Sequence, residues 1–167
     1  MISPKLSVLF FYLFLISCQN EPKTIKRNGE PDIVQPDNED FLMNRAIKRA
    51  NETLNQFDKA LSSSDPNLSM IGIKVRFDAP DGGAEHIWLR SVKKQNEQYS
   101  GIVSNFPETA LAVGLGDTVN VSKDRISDWM YVQNGKLKGG YTIRVLRDQL
   151  PETEKGAFDR ESGFVVE

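Results

Sequence analysis

Few side chains in this sequence are of types that do chemistry, so the first question is which of them can meet. The 167 residues hold one cysteine, Cys18, and one histidine, His86. Glu85, Asp117, Asp128, Tyr141, Arg144 and Arg147 add acid, base and charge-clamp chemistry. Paired carboxylates such as Glu85 and Asp128 could serve glycoside hydrolysis, but their spacing alone does not bring them together. Glu85 and His86 are neighbours, so on a strand they point to opposite faces and form no dyad. His86 and Trp88 share a face. They make either part of a shallow ligand site or a second core under a C-terminal helix. Asp128 reads as a turn cap or as an ion-pair partner of Arg144 or Arg147. The serines stand in no GxSxG or SxxK pattern, and no HExxH is present. One cysteine and one histidine exclude cysteine-rich zinc sites and multi-histidine metal sites. No metal and no other cofactor is expected. The candidate ligand or partner surface is Glu85, His86, Trp88, Asp128, Trp129, Tyr141, Arg144 and Arg147.

The elements that must position these residues begin after a distinct N-terminal region. Leu6 to Ile16, "LSVLFFYLFLI", is an apolar run of eleven residues behind a single charge, Lys5. It is too short to span a bilayer, which takes about 20 residues, and it suits the apolar segment of a secretory signal peptide. Leu15-Ile16-Ser17-Cys18 follows and resembles the bacterial lipobox. That resemblance implies cleavage before Cys18 and lipid attachment on its sulfur, which makes residues 1–17 a lipoprotein signal peptide. Two or more acyl chains hold a protein stably on a membrane, whereas one does not. Gln19 rather than Asp follows the cysteine, which favours the outer membrane over the inner one. A catalytic thiol would instead want a histidine or cation on a structured scaffold. Residues 18–36 are rich in proline, charge and amides, lack apolar periodicity, and read as a disordered tether with a reach of roughly 25 Å.

Residues 37–167 read as one domain. Asp37 can cap a helix, and Met43, Ala46, Ile47, Ala50, Leu54, Phe57 and Leu61 form one apolar stripe. Pro66 ends it. From Met70 the period changes to two: Ile71, Ile73, Val75 and Phe77 alternate with polar residues or glycine, which predicts a strand. Further strands are expected over about 85–92, 98–104, 118–121 and 129–133. Both faces of the 85–92 strand carry bulky groups, so it is expected to be covered on both sides or to belong to a closed small barrel. "GLGD" (114–117) is a turn; it lacks both GxGxxG and GK[ST]. Asn134-Gly135 signals a tight hairpin. Thr142 is the expected N-cap of a helix over about 143–150, a second short helix starts at Pro151, and the tail "GFVVE" either packs or frays. The fold class is α+β: a long N-terminal helix packed on a small, strongly twisted antiparallel sheet or partial barrel, with short C-terminal helices.

Five blocks, "EHIWL" (85–89), "GIVSNFP" (101–107), "GD" (116–117), "ISDWMYVQNGKLKGGYTIRVLR" (126–147) and "LPETEKGAFD" (150–159), resemble the DUF2314 (YegJ-like) family of uncharacterised bacterial proteins over roughly residues 40–160. The family brings no established activity with it. Small folds related to it by analogy occur among immunity proteins of toxin systems.

The net charge of −2 argues against nucleic-acid binding, which needs a basic face. The expected partners are the membrane, through the lipid anchor, and a protein of the cell envelope. The expected function is a membrane-tethered binding module of the envelope. An immunity-type inhibitor and an envelope hydrolase stand as alternatives, and the motifs lean away from an enzyme.

Overall fold

The change of hydrophobic period at Met70 divides the fold into helices and sheet. The computed structural model describes residues 24–25, 33–34, 38–80 and 82–167. The apolar run, Cys18 and most of the tether segment lie outside the described residues. Within that segment, β1 (Thr24–Ile25) pairs antiparallel with β2 (Ile33–Val34). Asn38–Glu167 forms a separate compact unit. No described helix is long and apolar enough to cross a membrane.

The apolar stripe expected on one helix is carried by two, α1 (Asn38–Glu52) and α2 (Leu54–Leu61). Thr53 interrupts them with φ −109° and ψ 9°. Its hydroxyl oxygen lies 2.7 Å from the Arg49 carbonyl four residues back. Threonine bonded in this way loosens and bends a helix. The stripe stays in register through the break, so Ala50, Leu54 and Phe57 are all buried. Burying a side chain the size of Phe57 contributes about 2–3 kcal/mol.

The sheet has six strands: β3 (Leu68–Asp78), β4 (Ala84–Gln95), β5 (Gln98–Val103), β6 (Thr118–Ser122), β7 (Ile126–Gln133) and β8 (Lys136–Gly139). Their spatial order is β6-β5-β4-β3-β7-β8, and every pair is antiparallel. The sheet is open rather than closed, which corrects the closed-barrel alternative for the 85–92 strand. Two bulky faces on β4 do not require closure, because only one of them is covered. Ile87 and Leu89 join the main core with Ala50, Leu54, Phe57, Ile73, Val75, Tyr99, Val103, Ile126 and Trp129. His86 and Trp88 are half-buried on the opposite face, and Arg90 is exposed.

A second core does lie on that opposite face, displaced to the β7–β8 edge. There Val132, Leu137 and Phe164 are buried with Met130, Ile143 and Phe158 against them. Ile143 belongs to α3 (Tyr141–Gln149) and Phe158 to α4 (Glu152–Ser162). The tail packs: Phe164 is buried, and Val165 N–H donates to the Gly135 carbonyl at 2.8 Å. The β7–β8 turn is the tight one expected, with positive φ at Asn134 (51°) and Gly135 (76°).

Candidate functional site

The residues picked from the sequence fall into three groups in space: a structural hub, a pinned loop and an open face. The hub holds Asp128, Trp129, Tyr141, Arg144 and Arg147. Asp128 is fully buried and bonds to neither arginine. Its Oδ1 accepts the N–H groups of Trp129 (2.8 Å) and Tyr141 (3.1 Å), and its Oδ2 accepts the Thr142 N–H (2.8 Å) and hydroxyl (2.7 Å). The first N–H groups of a helix have no partner inside it. Residue Gly140 at the N-cap of α3 has no side chain to offer. The cap is therefore supplied from β7, and Thr142 is a donor to it rather than the N-cap itself. Burial pushes the Asp128 carboxyl up, while these four bonds pull it down.

Trp129 is buried on the other side of β7 and donates its indole N–H to the Ala50 carbonyl at 2.9 Å. Tyr141 stands edge-on to Trp129 with ring centroids 5.8 Å apart, and shares a 3.0 Å hydrogen bond with the Thr53 hydroxyl. Gly139 sits so close to Trp129 that a Cβ there would lie 2.2 Å from the Trp129 carbonyl oxygen. Arg144 donates to the carbonyls of Gly139, Leu137 and Glu167, which ties α3 to β8 and the tail. Arg147 makes a bidentate pair with Asp159 at 2.6 and 2.7 Å, holding α3 to α4. Each of these residues has a structural use.

The second group pins a loop. Glu85 points to the core side of β4, away from His86, and its carboxylate accepts the N–H groups of Glu108, Thr109 and Ala110 at 2.9–3.0 Å. Hydrogen bonds from Ala110, Glu108 and Thr109 hold its carboxyl down at about 2. Asp117 closes the same loop by accepting the Gly114 N–H at 2.7 Å. Phe106 and Leu111, 76% and 78% exposed, project from it. The Glu85 carboxyl has a folded value of about 2 against an ordinary 4.5, so the grip is complete above about pH 4.5 and is lost as pH falls toward 2. The amide resonances of Thr109 and Ala110 should shift through that window. In Glu85→Gln they should show the released pattern already at neutral pH.

The third group is the open face of β3 and β4. His86 Nδ1 lies 2.7 Å from Ser127 Oγ, whose proton goes to the Lys74 carbonyl at 3.2 Å. Burial, with Lys74 and Arg76 nearby, pushes the His86 pKa down and keeps the ring neutral. Ser127 is itself buried, which leaves its hydroxyl no route to a substrate. Among the described residues no three His, Cys, Asp or Glu side chains gather to hold a metal ion.

Trp88 lies further along the same face, with the Lys74 ammonium 5.8 Å from its ring centroid. Here the sheet forks. The pairing of β3 with β4 ends at Gly72↔Arg90. Beyond it, β3 continues against β7 through Ser69↔Val132, and β4 against β5 through Lys93↔Ser100. Both strands bulge at the fork, with positive φ at Met70 (50°) and Ser91 (53°). Bulges re-aim side chains and break pairing; a positive φ away from glycine is uncommon and strained. The result is a groove of about 420 Å³ lined by Met70, Ile71, Gly72, Trp88, Arg90 and Met130, among others. Met70 is 52% exposed at its mouth. The sequence reading found Trp88 but missed Met70, Met130 and Arg90, because bulges carry no composition signal.

A family model described as "Uncharacterized protein conserved in bacteria (DUF2314)" matches residues 40–165. "Uncharacterized protein YegJ" of Escherichia coli (strain K12) is 32% identical over 112 residues, which is 67% of this chain and 71% of that protein. "Putative ankyrin repeat protein NMB1133/NMB1171" of Neisseria meningitidis serogroup B is 32% identical over 143 residues, 81% of this chain. This chain covers 56% of the length of that second relative. No solved structure matches. The matched span starts within α1, takes in the hub, the pinned loop and the forked sheet, and ends at the packed tail; the chain belongs to the DUF2314 family of conserved bacterial proteins.

Proposed function

We propose that this chain is a binding module of the bacterial cell envelope, carried on a lipid at Cys18, and that its partner seats in the groove beside Trp88. The observation that carries the reading is the groove itself. It is apolar, it opens on the side of β3 and β4 away from the main core, and it sits where both strands bulge, with positive φ at Met70 and Ser91. Exposed apolar concavities with a few polar groups at the rim are where partners bind. Methionines on either side of an indole give an adaptable lining. The anchor rests on the apolar run, the Leu15–Cys18 pattern and the tether-like composition after it. Gln19 after the cysteine favours the outer membrane.

A basic rim does not favour the immunity-type reading, which calls for a clustered acidic face. A hydrolase would need a free acid in a cleft, and Glu85 and Asp128 are both occupied by backbone N–H groups.

The test uses the full chain in cells. Cys18→Ala should lose palmitate labelling and leave the membrane fraction; labelling that persisted would remove the anchor from this reading. A photoreactive phenylalanine derivative in place of Met70 should cross-link one discrete partner. The same group in place of Lys59, on α2, should not, and identical products from both positions would remove the groove.

A further inference from the structure

We infer that the groove beside Trp88 takes a peptide segment in which an apolar side chain is flanked by carboxylates. This deepens the reading just given and rests on it. The slot is lined by the thioethers of Met70 and Met130, the indole of Trp88 and the bare backbone of Gly72, so it accepts a single aliphatic or aromatic side chain. Its rim is cationic. Arg90 lines the groove, and the Lys74 ammonium stands over the Trp88 ring. Lys93 is exposed one rung beyond the Ser91 bulge. Arg90 and Lys93 have no ion-pair partner among the described residues. On β3 and β7, Asp78 pairs with Arg76 and Arg125, and Asp128 is buried on the N-terminus of α3. The exposed charges that β4 presents beside the slot, Arg90 and Lys93, are both positive, although the whole chain has a net charge of −2. Complementary charge steers the encounter and selects the partner.

The same charges argue against a second copy of this chain. Two such faces would bring Lys74, Arg90 and Lys93 against their own counterparts. A flat anionic membrane would meet the rim but leave the concave slot unfilled. A nucleic-acid strand would stack its bases on several aromatic rings, whereas this groove has one.

The test measures fluorescence polarisation of labelled heptapeptides with the full chain. The probes are Gly-Asp-Asp-Phe-Asp-Asp-Gly, its lysine counterpart, and the acidic peptide with Gly in place of Phe. The acidic Phe peptide should bind at least about tenfold tighter than either of the others. The double variant Arg90→Glu/Lys93→Glu should reverse the preference toward the lysine peptide. Equal binding of acidic and basic peptides, both lost in Trp88→Ala, would overturn the ligand class and leave the groove as the binding site. Peptide binding indifferent to Trp88→Ala would overturn the groove itself. Trp88-dependent binding to phosphatidylglycerol vesicles or to an oligonucleotide, with no peptide bound, would replace the peptide with that class.

Discussion

Asp128→Ala is expected to cost about 3–5 kcal/mol of folding stability, the order expected when several buried donors lose their shared acceptor. Asp128 is fully buried, and its carboxylate accepts four hydrogen bonds. Alanine would leave the N–H groups of Tyr141 and Thr142, and the Thr142 hydroxyl, without an acceptor at the start of α3. Each unsatisfied buried donor costs about 1–3 kcal/mol. The favourable placement of a negative charge at a helix N-terminus goes with them. A small domain has only about 5–15 kcal/mol in total, so the variant should sit near the edge of folding. Asp128→Asn should recover part of the loss. Its oxygen can accept from one side, but its amide nitrogen would face other donors. Urea unfolding of the three proteins checks the order; a loss under about 1 kcal/mol in the alanine variant would show that α3 is capped in another way.

The second large effect is on binding. Trp88→Ala is expected to weaken partner binding by about 2–4 kcal/mol, the cost of truncating a central aromatic anchor at an interface. In affinity that is roughly a 30- to 1,000-fold loss. The cost to folding should stay near 1 kcal/mol, because the indole is half-exposed and outside both buried cores. The two variants thus separate two proposed roles: stability at Asp128 and recognition at Trp88.

How much of this was legible in the sequence depends on whether the physics is local. The change of period at Met70 gave the helix-to-sheet transition, because side-chain alternation is a property of the strand itself. Asn134-Gly135 gave the β7–β8 turn for the same reason: both residues tolerate positive φ. The helix break at Thr53 was not anticipated and Thr142 was misread, because their hydroxyls are claimed by other groups. Thr53 lies against the Arg49 carbonyl and breaks the helix. Thr142 donates to Asp128, fourteen residues away, instead of capping its own helix. The openness of the sheet was hidden because Trp88 and His86 look like core residues by type. Their half-buried state outside both cores, opposite Ile87 and Leu89, reveals that they face away from the main core. The groove was the least legible feature. It exists because two strands bulge at the same level, and Met70 and Ser91 have no residue type that announces a bulge.

The long block "ISDWMYVQNGKLKGGYTIRVLR" shows the same contrast. Its unusual residues suggested a site. In the fold, Asp128, Trp129, Gly139, Tyr141, Arg144 and Arg147 lock β7, β8, α3 and α4 together and seat α1 on them. The proposed groove beside Trp88 lies outside these locking contacts.

The most direct test is photo-cross-linking from position 70 of the full chain in cells, with Trp88 present and with Trp88→Ala, at matched protein levels and with thermal melts of both purified forms. The account predicts a discrete cross-linked partner that disappears in Trp88→Ala while the melt stays within a few degrees of the parent. A partner band of unchanged intensity in Trp88→Ala would contradict it.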